Sequence, residues 1–135
     1  MVFNFEFLGI GSKRRWALRV FDKTLGELQV NPAYVDDGMR YLIYNWAAEL
    51  EALRGGEKGV IDAIMRDAAT LVSLCILGPA ETKEMWGEAV SDARQARFDA
   101  AIAKNDDEDF DTRLIKLVLT KGNAAADIRA VVELD

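Results

Sequence analysis

Apolar residues recur at intervals of three and four from Asn31 to Lys121, interrupted only by Gly55-Gly56, Gly78-Pro79 and the acidic stretch around Asp106. That spacing keeps side chains on one side of a 3.6-residue helix, and it predicts an all-α fold: one domain over residues 1–135, built as a bundle of five or six helices. Before Asn31 the pattern differs. Phe3, Phe5 and Phe7 alternate with Asn4 and Glu6, a period of two that puts three rings on one side of a short β-strand. Leu28-Gln29-Val30, the terminal Ala130-Val131-Val132-Glu133-Leu134 or the same segment of a second copy are its candidate mates. An extended arm over residues 1–11, lying on the helices, satisfies the pattern equally well. Gly9 and Gly11 then release the chain, and Ser12 is placed to cap a first helix carrying Trp16, Leu18, Val20, Phe21 and Leu25.

The second helix has the clearest start signal. Asn31 can accept from free first-turn amides, and Pro32 sits where a missing N–H costs nothing. Asp36 and Asp37 add acidic charge near that end. Val35, Met39, Leu42, Trp46, Leu50 and Leu53 follow as a buried stripe, flanked by a second row of Tyr34, Tyr41, Tyr44, Ala48 and Ala52. A helix apolar over so much of its circumference must be central or must meet a partner.

Gly55-Gly56 ends that helix and turns into a third, with Val60, Ile61, Ile64, Ala68, Leu71, Val72 and Cys75 facing inward and an Asp62–Arg66 pair one turn apart outside. From Leu74 to Leu77 the helix is apolar all round, which implies burial on every side. Pro79 opens a fourth helix, rich in alanine (Ala89, Ala93, Ala96, Ala100), whose Trp86, Val90, Phe98 and Ile102 must find the core. Asn105 to Asp111 is an acidic loop entering a fifth helix with Phe110, Leu114, Leu117 and Val118 inward. Acidic residues suit the start of that helix, and Lys116 and Lys121 its end. Asn123 can cap a last short helix from Ala124 to Val132, of which the terminal Val131-Val132 could instead be strand.

The formal charge of −6 opposes any general affinity for nucleic acid or anionic lipid, since phosphate binding needs dense positive surface. The lone Cys75 permits no intrachain disulfide and fits a reducing compartment. The N-terminal apolar residues precede Lys13-Arg14-Arg15, the reverse of a secretory signal, and Asp62, Arg66 and Asp67 interrupt the most apolar stretch too often for it to span a bilayer. A cytoplasmic protein without membrane contact is expected.

The chain has no histidine. That removes imidazole-based triads, histidine-ligated zinc and the commonest general base at neutral pH, and one cysteine makes neither a thiolate zinc site nor a redox pair. Asp107, Asp109 and Asp111 have the alternate spacing that opens a calcium loop, but Thr112 stands where its glycine belongs and Val118 where its bidentate glutamate belongs. Gly9-Ile10-Gly11-Ser12-Lys13-Arg14 lacks the third glycine of a dinucleotide-binding turn. Lys13, Arg14, Arg15, Arg19 and Lys23 make the first helix basic and a candidate anion-binding surface, with Trp16 among them able to stack on a base.

Glu81-x-x-Glu84 and Glu108-x-x-Asp111 place acids three apart on helices, a spacing that can hold Mg²⁺. These four residues resemble the paired acidic motifs of the all-α nucleotide pyrophosphohydrolases. The resemblance implies Mg²⁺-dependent hydrolysis at Glu81, Glu84, Glu108 and Asp111, although this chain has no doubled acid before the first pair, and its second pair stands at a helix start.

The leading expectation rests on surplus apolar surface. Phe3, Phe5, Phe7, Tyr34, Tyr41 and Tyr44 exceed what a chain of this size needs for its own core. That predicts a non-catalytic interaction module, a small adaptor, regulator or inhibitor that binds another protein or forms a homodimer, with no cofactor and no catalytic residues. Mg²⁺-dependent nucleotide hydrolysis is the alternative. A nucleic-acid-binding regulator using the basic first helix is the second alternative.

Overall fold

The computed structural model describes residues 3–56 and 59–120, with side chains from Lys13 onward, and every regular element among the described residues is helical. The order is α1 (Phe3–Glu27), a 3-10 turn (Pro32–Tyr34), α2 (Asp37–Leu53), α3 (Val60–Leu77), α4 (Pro79–Trp86), α5 (Glu88–Lys104) and α6 over residues 110–120. The expected all-α bundle is what is found.

The N-terminal segment differs from the expected strand or extended arm: α1 is already helical at Phe3. Among the described residues no strand is present to share a ladder, and a helix pairs its interior backbone N–H and C=O groups within its own segment, leaving only those of its end turns. Gly9, Gly11 and Ser12 therefore lie inside α1 rather than before it. The side chains of Phe3, Phe5 and Phe7 and the expected element from Ala124 to Val132 fall outside what is described.

The end of α1 is a Schellman turn. The Val30 N–H reaches the Leu25 carbonyl at 2.9 Å and the Gln29 N–H the Gly26 carbonyl at 3.1 Å, with Gln29 itself at φ 68°. Val30 is then buried, the apolar contact such a turn carries with it. Asn31 does cap a helix, but only the 3-10 turn, through its acceptance from the Ala33 N–H at 3.0 Å. Val35 runs extended, and the cap of α2 proper is Asp36, which accepts from the Met39 N–H at 2.8 Å.

Helix α3 is the centre of the bundle. Ile61, Ile64, Met65, Ala68, Ala69, Leu71, Val72, Ser73 and Leu74 are all buried, and α1, α2, α4 and α5 pack against it. Phe21 and Leu25 of α1, Met39 and Ile43 of α2, and Leu114, Ile115 and Val118 of α6 complete one continuous core. The core row of α2 is Met39, Ile43, Ala47 and Glu51. The expected stripe through Leu42, Trp46 and Leu53 is rotated toward the outside.

What reads as one long fourth helix divides at Gly87. Gly78 (φ 83°, ψ 165°) and Gly87 (φ 89°, ψ 155°) each end one helix and begin the next, in a region of backbone space open essentially to glycine alone. Across the second corner the buried hydroxyls of Thr82 and Ser91 lie 2.9 Å apart. Of the bulky residues expected in the core, Phe98 packs against it, whereas Val90 and Ile102 are exposed.

Candidate functional site

The basic side chains of α1 do not form one patch. Lys13 turns to α2 and donates to Oε1 of Glu51 at 2.7 Å, and that hydrogen bond, opposed by partial burial, holds its ammonium above the ordinary lysine value. The Arg14 guanidinium lies 5.1 Å from the centre of the Tyr41 ring. Arg15 is exposed. Arg19 belongs to a different surface, a groove of about 450 Å³ between α1 and α3 lined by Trp16, Arg19, Val20, Lys23, Glu27 and Arg66. The α1 members recur at three- and four-residue spacing, one face of the helix.

Trp16 is 58% exposed, and its Nε1 donates to Oδ2 of Asp62 at 3.1 Å. Asp62 thus spends its carboxylate on the indole rather than on Arg66, the partner expected from their spacing. No ion pair to Arg19, Lys23 or Arg66 is found among the described residues.

The tyrosine row also splits. Tyr34 and Tyr44 are half-buried against the core, whereas Tyr41 is 45% exposed. The outer face of α2 instead presents Leu42, 39% exposed, and Leu53, 85% exposed, with Trp46 between them under the Arg113 guanidinium at 5.7 Å. Arg113 also pairs with Glu49 at 3.1 Å.

The acidic segment is largely spent on its own loop and on α6. Asp106 accepts from the Glu108 N–H at 2.9 Å. Asp107 pairs with Lys116 at 2.7 Å, which draws its carboxyl below the ordinary value. Asp109 caps α6 through the Thr112 N–H at 3.1 Å and pairs with Lys104 at 3.0 Å. Asp111 takes Arg97 in a two-pronged contact at 2.8 and 2.7 Å, which raises the guanidinium above its ordinary value against the opposing effect of burial.

Asp111 and Glu108 line a second cavity of about 530 Å³ with Asp67 and Arg97, where the Arg97 guanidinium already occupies both oxygens of Asp111. Glu81 and Glu84 lie exposed on α4. No group of three or more Asp, Glu or Cys side chains among the described residues is placed to hold a metal ion.

At the α4–α5 corner the Arg94 guanidinium stacks 4.4 Å from the Trp86 ring centre, and burial pulls its value down. Trp86 Nε1 and Arg94 Nη1 are buried without a hydrogen-bond partner among the described residues. Sequence reasoning missed Arg66 as a groove residue and Leu53 as a surface one. Only the position of α3 relative to α1, and the rotation of α2, reveal them.

Comparison with protein families, with curated proteins and with solved structures gives no match. What the fold defines is a small all-α bundle, and no described helix is long and apolar enough to cross a membrane.

Proposed function

We propose that this protein is a non-catalytic cytoplasmic interaction module that works as a homodimer, with the outer face of α2 as its contact surface. The observation that carries this reading is the exposure of Leu53, at 85%, in line with Leu42 and Trp46 along a side of the helix that adjoins the buried row of Met39, Ile43, Ala47 and Glu51. An apolar row left in water favours association, because covering it removes that area from solvent.

The spacing supports a second copy as the occupant. Leu42, Trp46, Glu49 and Leu53 follow one another at four, three and four residues, a sequence of steps that is the same in both directions. Two such helices packed antiparallel about a two-fold axis set Leu42 against Leu53 of the other copy and bring the tryptophans close to the axis, the self-complementary contact a two-fold dimer requires. The free Cys75 is consistent with a reducing compartment.

Sedimentation equilibrium over a wide concentration range tests the reading. The expected result is a reversible dimer that Leu42→Asp with Leu53→Asp converts to a monomer of unchanged helical content. A wild-type chain that stays monomeric throughout that range rejects it.

A further inference from the structure

We propose that the groove between α1 and α3 binds a nucleotide-sized ligand carrying a planar ring at one end and a di- or triphosphate at the other. This goes beyond the dimer reading and shares no residue with the α2 surface. Trp16, Arg19, Lys23 and Arg66 line one concavity, and its volume of about 450 Å³ falls within the range of small-ligand sites. Three cations converge there without an ion-pair partner among the described residues, against a single lining carboxylate, Glu27. Like charges held together repel, and a polyanion relieves that repulsion.

The aromatic wall specifies the other end of the ligand. An exposed tryptophan offers a face for stacking. The bond from Trp16 Nε1 to Asp62 fixes the edge of that ring, so little side-chain freedom remains to be lost on binding. Arg19 stands one helical step from Trp16 and Lys23 two turns away, about 10 Å along the axis. A ring on Trp16 therefore reaches Lys23 only if its charge is carried at some distance, which favours a di- or triphosphate over a monophosphate.

A continuous nucleic-acid strand fits less well. Glu27 lines the groove, Asp62 flanks the tryptophan, and the net charge of −6 opposes a long polyanion more than a short one.

The test is titration of the full-length chain with ATP at low salt, by calorimetry and by tryptophan fluorescence. Saturable one-to-one binding is expected. Arg19→Glu and Arg66→Glu should each weaken it about ten-fold or more, Trp16→Leu should weaken it and abolish the fluorescence change, and Arg54→Glu, at a residue that lines the second cavity beside Arg97, should leave it unchanged. Arg19, Trp16 and Arg66 are exposed, so far-ultraviolet dichroism of the variants should match the wild type and a lost signal is a lost contact. No saturation at millimolar ATP overturns the proposal. So does binding indifferent to Arg19 and Arg66, inorganic triphosphate binding as tightly as ATP, or preference for a single-stranded oligonucleotide.

Discussion

The Glu51 carboxylate joins three helices at once: Oε1 accepts from Lys13 of α1 at 2.7 Å, while Oε2 accepts from the Ile61 N–H at 3.1 Å. The N-cap of α3 is Gly59, whose lack of a side chain leaves the first-turn amides without a local cap. A side chain from α2 supplies it. Glu51 is buried, so its charge is tolerated only because both oxygens are engaged.

Glu51→Ala removes the cap and strands the amide, and should cost about 2–3 kcal/mol by chemical denaturation. Lys13→Met should cost less, about 1 kcal/mol, because the lysine is half exposed and solvent screens the pair. The folded value of Lys13 is raised, so its contribution is intact below the ordinary lysine value of 10.5 and is lost as pH rises through the folded one. A Glu51→Ala protein within about 0.5 kcal/mol of wild type would contradict this account of α3.

Gly26 and Gln29 are in each other's natural places. Gly26 lies inside α1, where an added Cβ meets nothing within 4 Å, and Gln29 holds the left-handed position of the turn. Gly26→Ala should stabilise by about 0.4–1 kcal/mol through lower unfolded-chain entropy, and Gln29→Gly by a similar amount through relief of the left-handed backbone. Gly78→Ala has equally open space around it yet should lose about 1–3 kcal/mol, because there the backbone and not the room is limiting. Thermal melts of the three variants check the signs, and a stabilised Gly78→Ala would disprove the strained corner.

The helix breaks at Gly55-Gly56 and Gly78-Pro79 were legible because glycine and proline act on the local backbone alone. The rotation of α2 was not. Leu42, Trp46 and Leu53 are larger and more apolar than Ala47 and Glu51, so periodicity favours the wrong row; which row faces inward is decided by the close approach of α3 and by the Ile61 amide that Glu51 must reach. Gly87 was read through because helix-favouring residues flank it on both sides, Glu84 and Met85 before it and Glu88 and Ala89 after. Arg66 likewise has an adequate partner in sequence, Asp62, and only the placement of Trp16 takes that partner away.

Asp109 contributes to the acid side of stability. Burial pushes its carboxyl up, but hydrogen bonds from Lys104 and Thr112 outweigh that and leave it below the ordinary 3.8. A depressed value means the stabilisation is present above 3.8 and is lost as pH falls through the folded value. Asp109→Ala should therefore cost about 1 kcal/mol near neutral pH, the usual worth of an N-cap, and the gap from wild type should narrow in acid. Denaturation curves at neutral pH and near pH 2 check this; a gap that widens on acidification would mean that the ionised form is not the stabilising one.

Cys75 sits near the end of α3, where burial pushes its thiol from 9.0 up to about 12. The thiolate is the reactive species, and a shift of that size leaves about a thousand-fold less of it at any pH below 9. Labelling by an aromatic disulfide reagent at pH 8 should therefore be slow in the folded protein, and should accelerate with denaturant in step with the loss of helix. In the native state the rate should keep rising beyond pH 9 rather than level off there as a free thiol does. Fast native labelling with an inflection near pH 9 would show instead that the thiol is hydrated and that this end of α3 opens readily.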